Sequence, residues 1–378
     1  MIARTEADDF KTGDFKADNF KADNFKAWHA VADLYHAYFT GLVMSVVTRR
    51  GTADAAEFVF RVFRRQHHER FLAGIEKFGL SKTPHAVAAA QYHYLSNQIG
   101  GVNVEYIRES DRKAWIRYPT PRWIWRGTAI CAIPGDVSTA MLRGWHAHNG
   151  VSFKNPRMGF VCTKQTVDGQ NGLEGFYYEY DRDLTPDERL TFARHLEAPP
   201  FDPATAPKLA TDTWPQSRLK KAYRNYAMEY VRSALPVMVQ LFGPHDAGYL
   251  LHLTGRLIGM QFYTDVAASL SANHRDGPDG FGEFLLELLR AQGDDADLTA
   301  VNGNVTVSHR QWNLIAGVPD YHPACLNALS GLIEGLMNAH DRRLSLGFVT
   351  QAETVPGPLS WTLKLRPPGA TNDGRFPA

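Results

Sequence analysis

Histidines at two places in the chain are the residues best suited to chemistry near neutral pH. His67 and His68 are consecutive, and His146 and His148 are separated by one residue. Near the C-terminus of a helix the dipole favours the charged form of an imidazole, which can then act as a general acid or base. We expect His146 or His148 to transfer a proton during catalysis. An exposed or helix-capping histidine is the alternative interpretation of each.

The same four histidines are the candidate ligands of a metal ion. Neighbours on a helix face are three or four residues apart, so His146 and His148 can bind one ion only where the helix has unwound. Imidazole ligands suit zinc or iron. The sequence has no H-E-x-x-H motif and no H-x-x-x-H pair. We therefore predict no cofactor, and zinc or iron held by His67, His68, His146 and His148 is the alternative.

Two of the three cysteines lie where a helix is predicted to begin. Cys131 and Cys325 precede the last helix of each half of the chain, and a helix N-terminus lowers the pKa of a thiol and activates it as a nucleophile. Both are candidate catalytic residues, with small buried cysteines as the alternative. The cysteines show no C-x-x-C spacing, which favours reduced thiols in a cytoplasm.

Cationic and aromatic side chains are the candidate contacts of a substrate. An inward-facing arginine such as Arg64 binds a carboxylate through two parallel hydrogen bonds, and a structural ion pair is the alternative. The run 115–126 interleaves tryptophan and tyrosine with arginine, which suits either a pocket wall for an aromatic or carboxylated ligand or packing between domains. The predicted substrate-binding residues are Arg64, Arg126, Trp125, Trp145 and Asn149.

Composition and motifs exclude several functional classes. Lysine and arginine total 41 against 40 aspartates and glutamates, so the net charge of +1 attracts neither nucleic acid nor an anionic membrane. No stretch of eighteen apolar residues predicts a membrane span, and phosphate-loop, dinucleotide and serine-elbow motifs are missing. We expect a cytoplasmic protein whose partner is a small-molecule substrate, and pairing into a homodimer is left open.

Hydrophobic periodicity predicts an α+β protein made of two tandem copies of one αααββαββ domain. Each copy is an antiparallel sheet packed with helices. The first domain covers residues 27–182 and the second covers 217–367, with a Pro-rich linker at 183–216. A repetitive arm at 1–26 precedes them, because its phenylalanines recur every five residues, a spacing that fits neither a helix nor a strand. Residues 368–378 form a tail.

The two predicted copies align in a fixed register. A shift of 192 residues places Gly51 on Gly243 and Arg64 on Arg256, which favours an internal duplication. The second helix of the first copy carries histidines and several arginines, whereas the corresponding stretch of the second copy is nearly apolar. We therefore expect the functional site in the first copy or at the junction of the two.

Short motifs in the first half resemble those of a known family. They are the helix opening Gly51 to Glu57, the Arg-rich run Arg61 to Arg70, Asn155-Pro156 leading to Gly159-Phe160, the turn from Lys164 to Gly169, and the aromatic strand that follows. With the αααββαββ order, they resemble the L-2-amino-thiazoline-4-carboxylic acid hydrolase family, which is related in layout to 4-vinyl reductase domains. The resemblance implies a ligand-enclosing α+β domain and hydrolysis of a C–N bond in a small ring.

These observations predict a hydrolase-like enzyme that acts on a small cyclic or aromatic, carboxylated substrate. His146 or His148 would transfer protons and Arg64 would bind the anion. Two alternatives stay open: a non-catalytic small-molecule-binding or sensory module, and a lyase acting on an aromatic compound. If the protein is an enzyme, we expect a buried polar pair beside an open cavity. If it is a binding module, we expect an apolar cavity without converging titratable groups.

Overall fold

The described part of the chain is mixed α+β and largely helical. The computed structural model describes residues 23–122, 124–209, 214–270, 275–350 and 357–367. Helices pack against two separate sheets, which confirms the predicted fold class. The predicted tail and most of the predicted arm lie outside the described residues.

The elements of the first half follow the predicted order. They are α1 (Asp23–Arg50), α2 (Thr52–Lys77), α3 (His85–Ile99), β1 (Glu105–Ser110), β2 (Lys113–Tyr118), α4 (Gly135–Gly144), the single turn α5 (Asn149–Ser152), β3 (Met158–Lys164), β4 (Leu173–Glu179) and β5 (Leu190–Phe192). Between α4 and α5, residues 146–148 form one 3-10 turn. Because of this turn, the side chains of His146 and His148 point in different directions.

The second half repeats this order. Its elements are α6 (Gln216–Ser269), α7 (Gly277–Gln292), β6 (Ala296–Val301), β7 (Asn304–His309), α8 (Leu326–His340), β8 (Leu344–Thr350) and β9 (Leu359–Leu365). Helix α6 consists of two segments that meet at Gly243, where φ is 75° and ψ is 163°. Gly51, the residue aligned with it, has φ 98° and ψ 170° between α1 and α2. Glycine adopts this positive φ without the steric cost of a side chain.

The two sheets share one strand order. The first runs β1-β2-β4-β3-β5 and the second β6-β7-β9-β8. Neighbouring strands are antiparallel except β3 and β5, which are parallel. The extra strand β5 comes from the predicted linker at 183–216. The residues after it cover the outer face of the first sheet, where Leu196 packs near Trp115 and Phe176.

The halves are joined through a common core. One continuous hydrophobic cluster contains residues of both, and α1 lies along α6. Two tyrosines of α1 bond to the other half: Tyr38 Oη donates to the carbonyl of Leu251 and Tyr35 Oη to Gln292 Oε1, each at 2.8 Å. By length and composition, one helix within the described residues, 25–50, is apolar enough to cross a membrane, and 72% of its most apolar window is buried in this core.

Candidate functional site

Three imidazoles converge between α2 and the turn that follows α4. One ring nitrogen of each of His67, His68 and His148 lies within 4.8 Å of those of the other two. The ring centroids are 5.0 to 6.0 Å apart. We call these three residues the histidine triad. Of the four histidines predicted as metal ligands, the triad contains three.

The 3-10 turn at 146–148 explains why the fourth histidine lies elsewhere. Because helix α4 ends at Gly144, the H-x-H pair has left the helix, as a shared role in metal binding requires. Even so, the two rings point apart. His148 is directed at α2, whereas His146 is buried and lies 2.6 Å from the hydroxyl of Tyr177 on β4.

Asn149 fixes the orientation of the most buried member of the triad. Its side-chain oxygen lies 3.0 Å from Nε2 of His67, so Nε2 donates the hydrogen bond and the lone pair of His67 resides on Nδ1. That Nδ1 is buried and has no hydrogen-bond partner among the described residues. Asn149, a predicted substrate-binding residue, is fully buried. Its side chain positions His67.

Burial favours the neutral forms of His67, His146 and His148. It is the main cause that lowers the pKa of His67 and of His146 to about 3 and that of His148 to about 4. Nearby charge adds to this effect: Arg122 acts on His146, and Arg64 and Arg189 act on His148. The prediction that a helix dipole favours the charged forms of His146 and His148 is therefore wrong, because desolvation outweighs the dipole.

A groove adjoins the triad between α2 and the first segment of α6. Its volume is about 260 Å³. His68 belongs to both the groove and the triad, so the two share one imidazole. The groove is lined by Phe60, Arg61, Arg64, Arg65, His68, Val237 and Gln240.

Arg64 reaches the groove while holding the end of α4. Its Nε donates to the carbonyl of Gly144 and its Nη2 to that of Arg143, both at 3.0 Å. These acceptors are neutral, and no carboxylate of the described residues lies within ion-pair distance of Arg64. The neighbouring Arg65 differs, because it forms a bidentate pair with Asp320 at 2.6 and 2.8 Å. Arg64 thus keeps an uncompensated positive charge beside His148.

A second uncompensated arginine was missed by sequence reasoning. Nε and Nη1 of Arg189 are buried without a hydrogen-bond partner among the described residues, and its charge lowers the pKa of His148. Arg189 lies in the predicted linker, next to strand β5. No periodicity marks it, because its position near the triad depends on the pairing of β5 with β3.

A buried polar network lies behind the triad. His93 stacks on His146 with ring centroids 4.4 Å apart, and its Nδ1 lies 3.3 Å from the hydroxyl of Tyr118. Nδ2 of Asn149 lies 3.5 Å from Nε2 of His93 and links this network to the triad. Partly buried Arg122 stacks on the Tyr118 ring at 5.2 Å. Of these residues, the predicted site included only His146 and Asn149.

The predicted aromatic and cationic contacts divide between two places. Trp145 backs the triad, with its ring 5.5 Å from that of His67. Trp125 is buried and has a positive φ of 61°. Arg126 is exposed and pairs with Asp33 on α1 at 3.0 Å. The structure therefore brings Arg64, Trp145 and Asn149 to the triad, and assigns Arg126 to a surface ion pair.

The cysteines do not join the histidines. Cys131 is exposed in a 3-10 turn ahead of α4. Cys325 is buried at the start of α8, and burial raises the pKa of its thiol to about 11. The expectation that the helix N-terminus activates Cys325 is wrong, since desolvation of the thiolate outweighs the helix dipole there.

Comparison with known proteins gives no match: no family model, no curated protein and no solved structure matches the chain. The resemblance to the L-2-amino-thiazoline-4-carboxylic acid hydrolase family stays a prediction.

Proposed function

We propose that this protein is a hydrolase-like enzyme that acts on a small, carboxylated cyclic substrate at the histidine triad. One observation carries the proposal. Three imidazoles converge beside a groove, and two arginines without carboxylate partners, Arg64 and Arg189, act on the same imidazole. Uncompensated cations next to neutral imidazoles favour an anionic ligand close to a group able to activate water.

The size and lining of the groove define the substrate class. Ligand pockets usually measure about 300–1,000 Å³, so a groove of about 260 Å³ suits a small molecule. Phe60 supplies an apolar wall, stacked under the guanidinium of Arg64 at 5.0 Å. A flat ring would lie on this wall with its carboxylate toward Arg64 or Arg189. Such an arrangement would place the ring bond next to the triad.

The reaction would add water across a C–N bond of the ring. The triad would hold the attacking water, and one of its imidazoles would take up a proton from that water and pass it to the departing nitrogen. Oxygen bonds to carbon, the C–N bond breaks, and the nitrogen leaves carrying a proton. His148 is the central residue of this step because it is half-buried and neutral, and because the charges of Arg64 and Arg189 both act on it. His146, the other predicted proton carrier, is buried against Tyr177.

The test is ring opening on a defined panel. Purified protein is incubated with L-2-amino-thiazoline-4-carboxylic acid and with small lactams that carry or lack a ring carboxylate, and products are detected by a mass gain of one water. We expect His148→Ala to lower kcat/KM by about a hundredfold or more. His245→Ala is the control, because His245 is exposed and distant in sequence from the triad.

Arg189 supplies the test of substrate charge. We expect Arg189→Met to raise KM about 10- to 100-fold for carboxylated substrates and to leave uncharged lactams unchanged, since a charged hydrogen bond contributes about 1.5–3 kcal/mol. Arg256→Met, at the position aligned with Arg64, should alter neither. Binding of the carboxylated compounds without turnover would contradict the enzyme and favour the sensory module. Elimination without water uptake would favour the lyase.

A further inference from the structure

We propose that the histidine triad is a binding site for one divalent transition-metal ion, with zinc the best match to its donors. The inference deepens the proposed function, since a metal-bound water would be the attacking group. It nevertheless stands on the donor atoms alone and is measurable without any substrate.

The arrangement of the rings fits three ligands around one point. Each pair of rings meets at a steep angle, between 74° and 88°, so the rings do not stack on one another. Nitrogens about 2.0–2.1 Å from a tetrahedral zinc ion lie about 3.3 Å from one another. The donor atoms here lie within 4.8 Å of one another. Small side-chain rotations close that difference, most easily at exposed His68 and half-buried His148.

The unpaired Nδ1 of His67 is the second, independent observation. His67 is 1% exposed, and leaving a buried polar atom without a partner costs free energy that folded proteins usually avoid. A metal ion at the triad would bind this lone pair. The other ring nitrogen already donates to Asn149 at 3.0 Å. Metal-binding histidines typically donate their second nitrogen to a carbonyl or carboxylate oxygen in this way.

The composition of the cluster selects the class of metal. All three donors are imidazoles, and no carboxylate or thiolate of the described residues belongs to the group. Magnesium and calcium prefer oxygen ligands, whereas zinc and its neighbours bind imidazole well. Three protein ligands leave the fourth position of a tetrahedral ion open, as in catalytic zinc sites. In the triad, that position would be reached from the groove through His68.

The two nearby arginines set the charge of the fourth ligand. Arg64 and Arg189 oppose binding of a bare cation, because their charges act on His148. The same charges favour a hydroxide or a substrate carboxylate on the bound ion. The aligned positions of the second half hold no imidazole, since the shift of 192 residues places Gly259 and Met260 at the positions of His67 and His68. We expect one metal ion per chain.

The experiment measures metal without substrate. Tag-free protein is stripped with a chelator, dialysed and titrated with zinc alone, and bound zinc is counted by elemental mass spectrometry after gel filtration. We expect about one equivalent for the natural protein and a loss of affinity of about 10- to 100-fold or more for His68→Ala and for His148→Ala. His245→Ala is the matched control and should bind like the natural protein. Cobalt substitution gives an independent readout, through the visible bands of a tetrahedral nitrogen-ligated ion.

Each outcome separates the metal site from the proposed function. Less than about a tenth of an equivalent of zinc, or binding that neither variant weakens, would overturn the metal site. Zinc bound through the triad without ring opening would retain the site and contradict the hydrolase. Ring opening by a protein that binds no zinc would retain the hydrolase and overturn the metal site. Thermal unfolding of both variants checks that they are folded, which their exposed and half-buried positions favour.

Discussion

Two equivalent pairs of helices pack differently in the two halves. In the first half, imidazole and aromatic side chains fill part of the space beside α2 and α4, with His67 among them. In the second half, the later segment of α6 packs on α8 backbone to backbone. Four glycines make this approach, because a Cβ on any of them would overlap the backbone of the facing helix. They are Gly255, Gly259, Gly331 and Gly335.

The comparison shows how one helix pairing can become either a scaffold or a site. Gly259 of the second half aligns with His67 of the first. Where the contact is glycine, the helices approach closely and leave no donor atoms between them. Where it is histidine, an aromatic network and a buried Asn149 accompany it. At this pair of aligned positions, the imidazole therefore lies in the first half.

The largest effect is expected from a side chain placed in the glycine contact. Gly331→Ala should lower the free energy of unfolding by about 3 kcal/mol, because the new methyl group would overlap the carbonyl of His252 in the backbone of α6. The matched change in the first half is Gly144→Ala, whose methyl group would lie 2.7 Å from the Phe60 carbonyl oxygen and 2.9 Å from Phe63 Cβ. Urea unfolding should rank Gly331→Ala as the more damaging. The reverse ranking would contradict the closer approach in the second half.

A smaller effect is expected from two tyrosine–histidine pairs, one taken from each half. Tyr177 lies 2.6 Å from His146 in the buried network, and Tyr263 lies 2.6 Å from His340 in a part-buried position. Tyr177→Phe should lower the free energy of unfolding by about 2 kcal/mol, because it leaves a buried imidazole nitrogen unpaired. Tyr263→Phe should cost about 1 kcal/mol or less, since water can replace the lost hydroxyl. If chemical unfolding gave the same loss of unfolding free energy for both variants, water would be excluded equally from the two pairs.

The smallest effect is expected at an ion pair of the second half, and it depends on pH. Hydrogen bonding to His252, followed by the charge of Arg256, holds the pKa of Glu334 below its usual value. A lowered folded-state pKa contributes stability above the unfolded value of about 4.3, and that stability is lost as pH falls through the folded value. Glu334→Gln should therefore lower the free energy of unfolding by about 1 kcal/mol or less at pH 7, and this effect should become progressively smaller below about pH 4.

Arg64 supplies the contrast to that ion pair, because it bonds to neutral carbonyls at the aligned position. The loss of unfolding free energy caused by Arg64→Gln should stay the same between pH 7 and pH 4. Urea unfolding at a series of pH values measures both variants. A parallel decline for Arg64→Gln would indicate a carboxylate partner in solution.

The order of elements was predictable from sequence, because periodicity and glycine placement report local structure. The prediction of αααββαββ in each half is confirmed by the element order, and Gly51 and Gly243 adopt the same unusual backbone conformation. The strand β5 was missed because three residues carry too little periodicity and pair only with a strand that is distant in sequence. The duplication itself stays a prediction.

The site was predictable by residue type but not by environment. His67, His68 and His148 were predicted as candidate metal ligands, and the structure brings them together. The low pKa values of His67 and His148 could not be read from the sequence, since desolvation depends on which side chains surround each ring. Arg189 was missed for the same reason. Arg189 comes near the triad through the pairing of β5 with β3, and no spacing in the sequence predicts that pairing.

The packing of α1 along α6 has a consequence for the nascent chain. Tyr38 and its partner Leu251 are 213 residues apart, so at ribosomal speeds of about 5–20 residues per second the first helix emerges about 10–40 s before the helix that covers it. Throughout that interval an apolar helix long enough to cross a membrane is without its final partner. We therefore expect α1 of the ribosome-bound chain to be shielded during this interval, either by a chaperone or by temporary packing against α2 and α3.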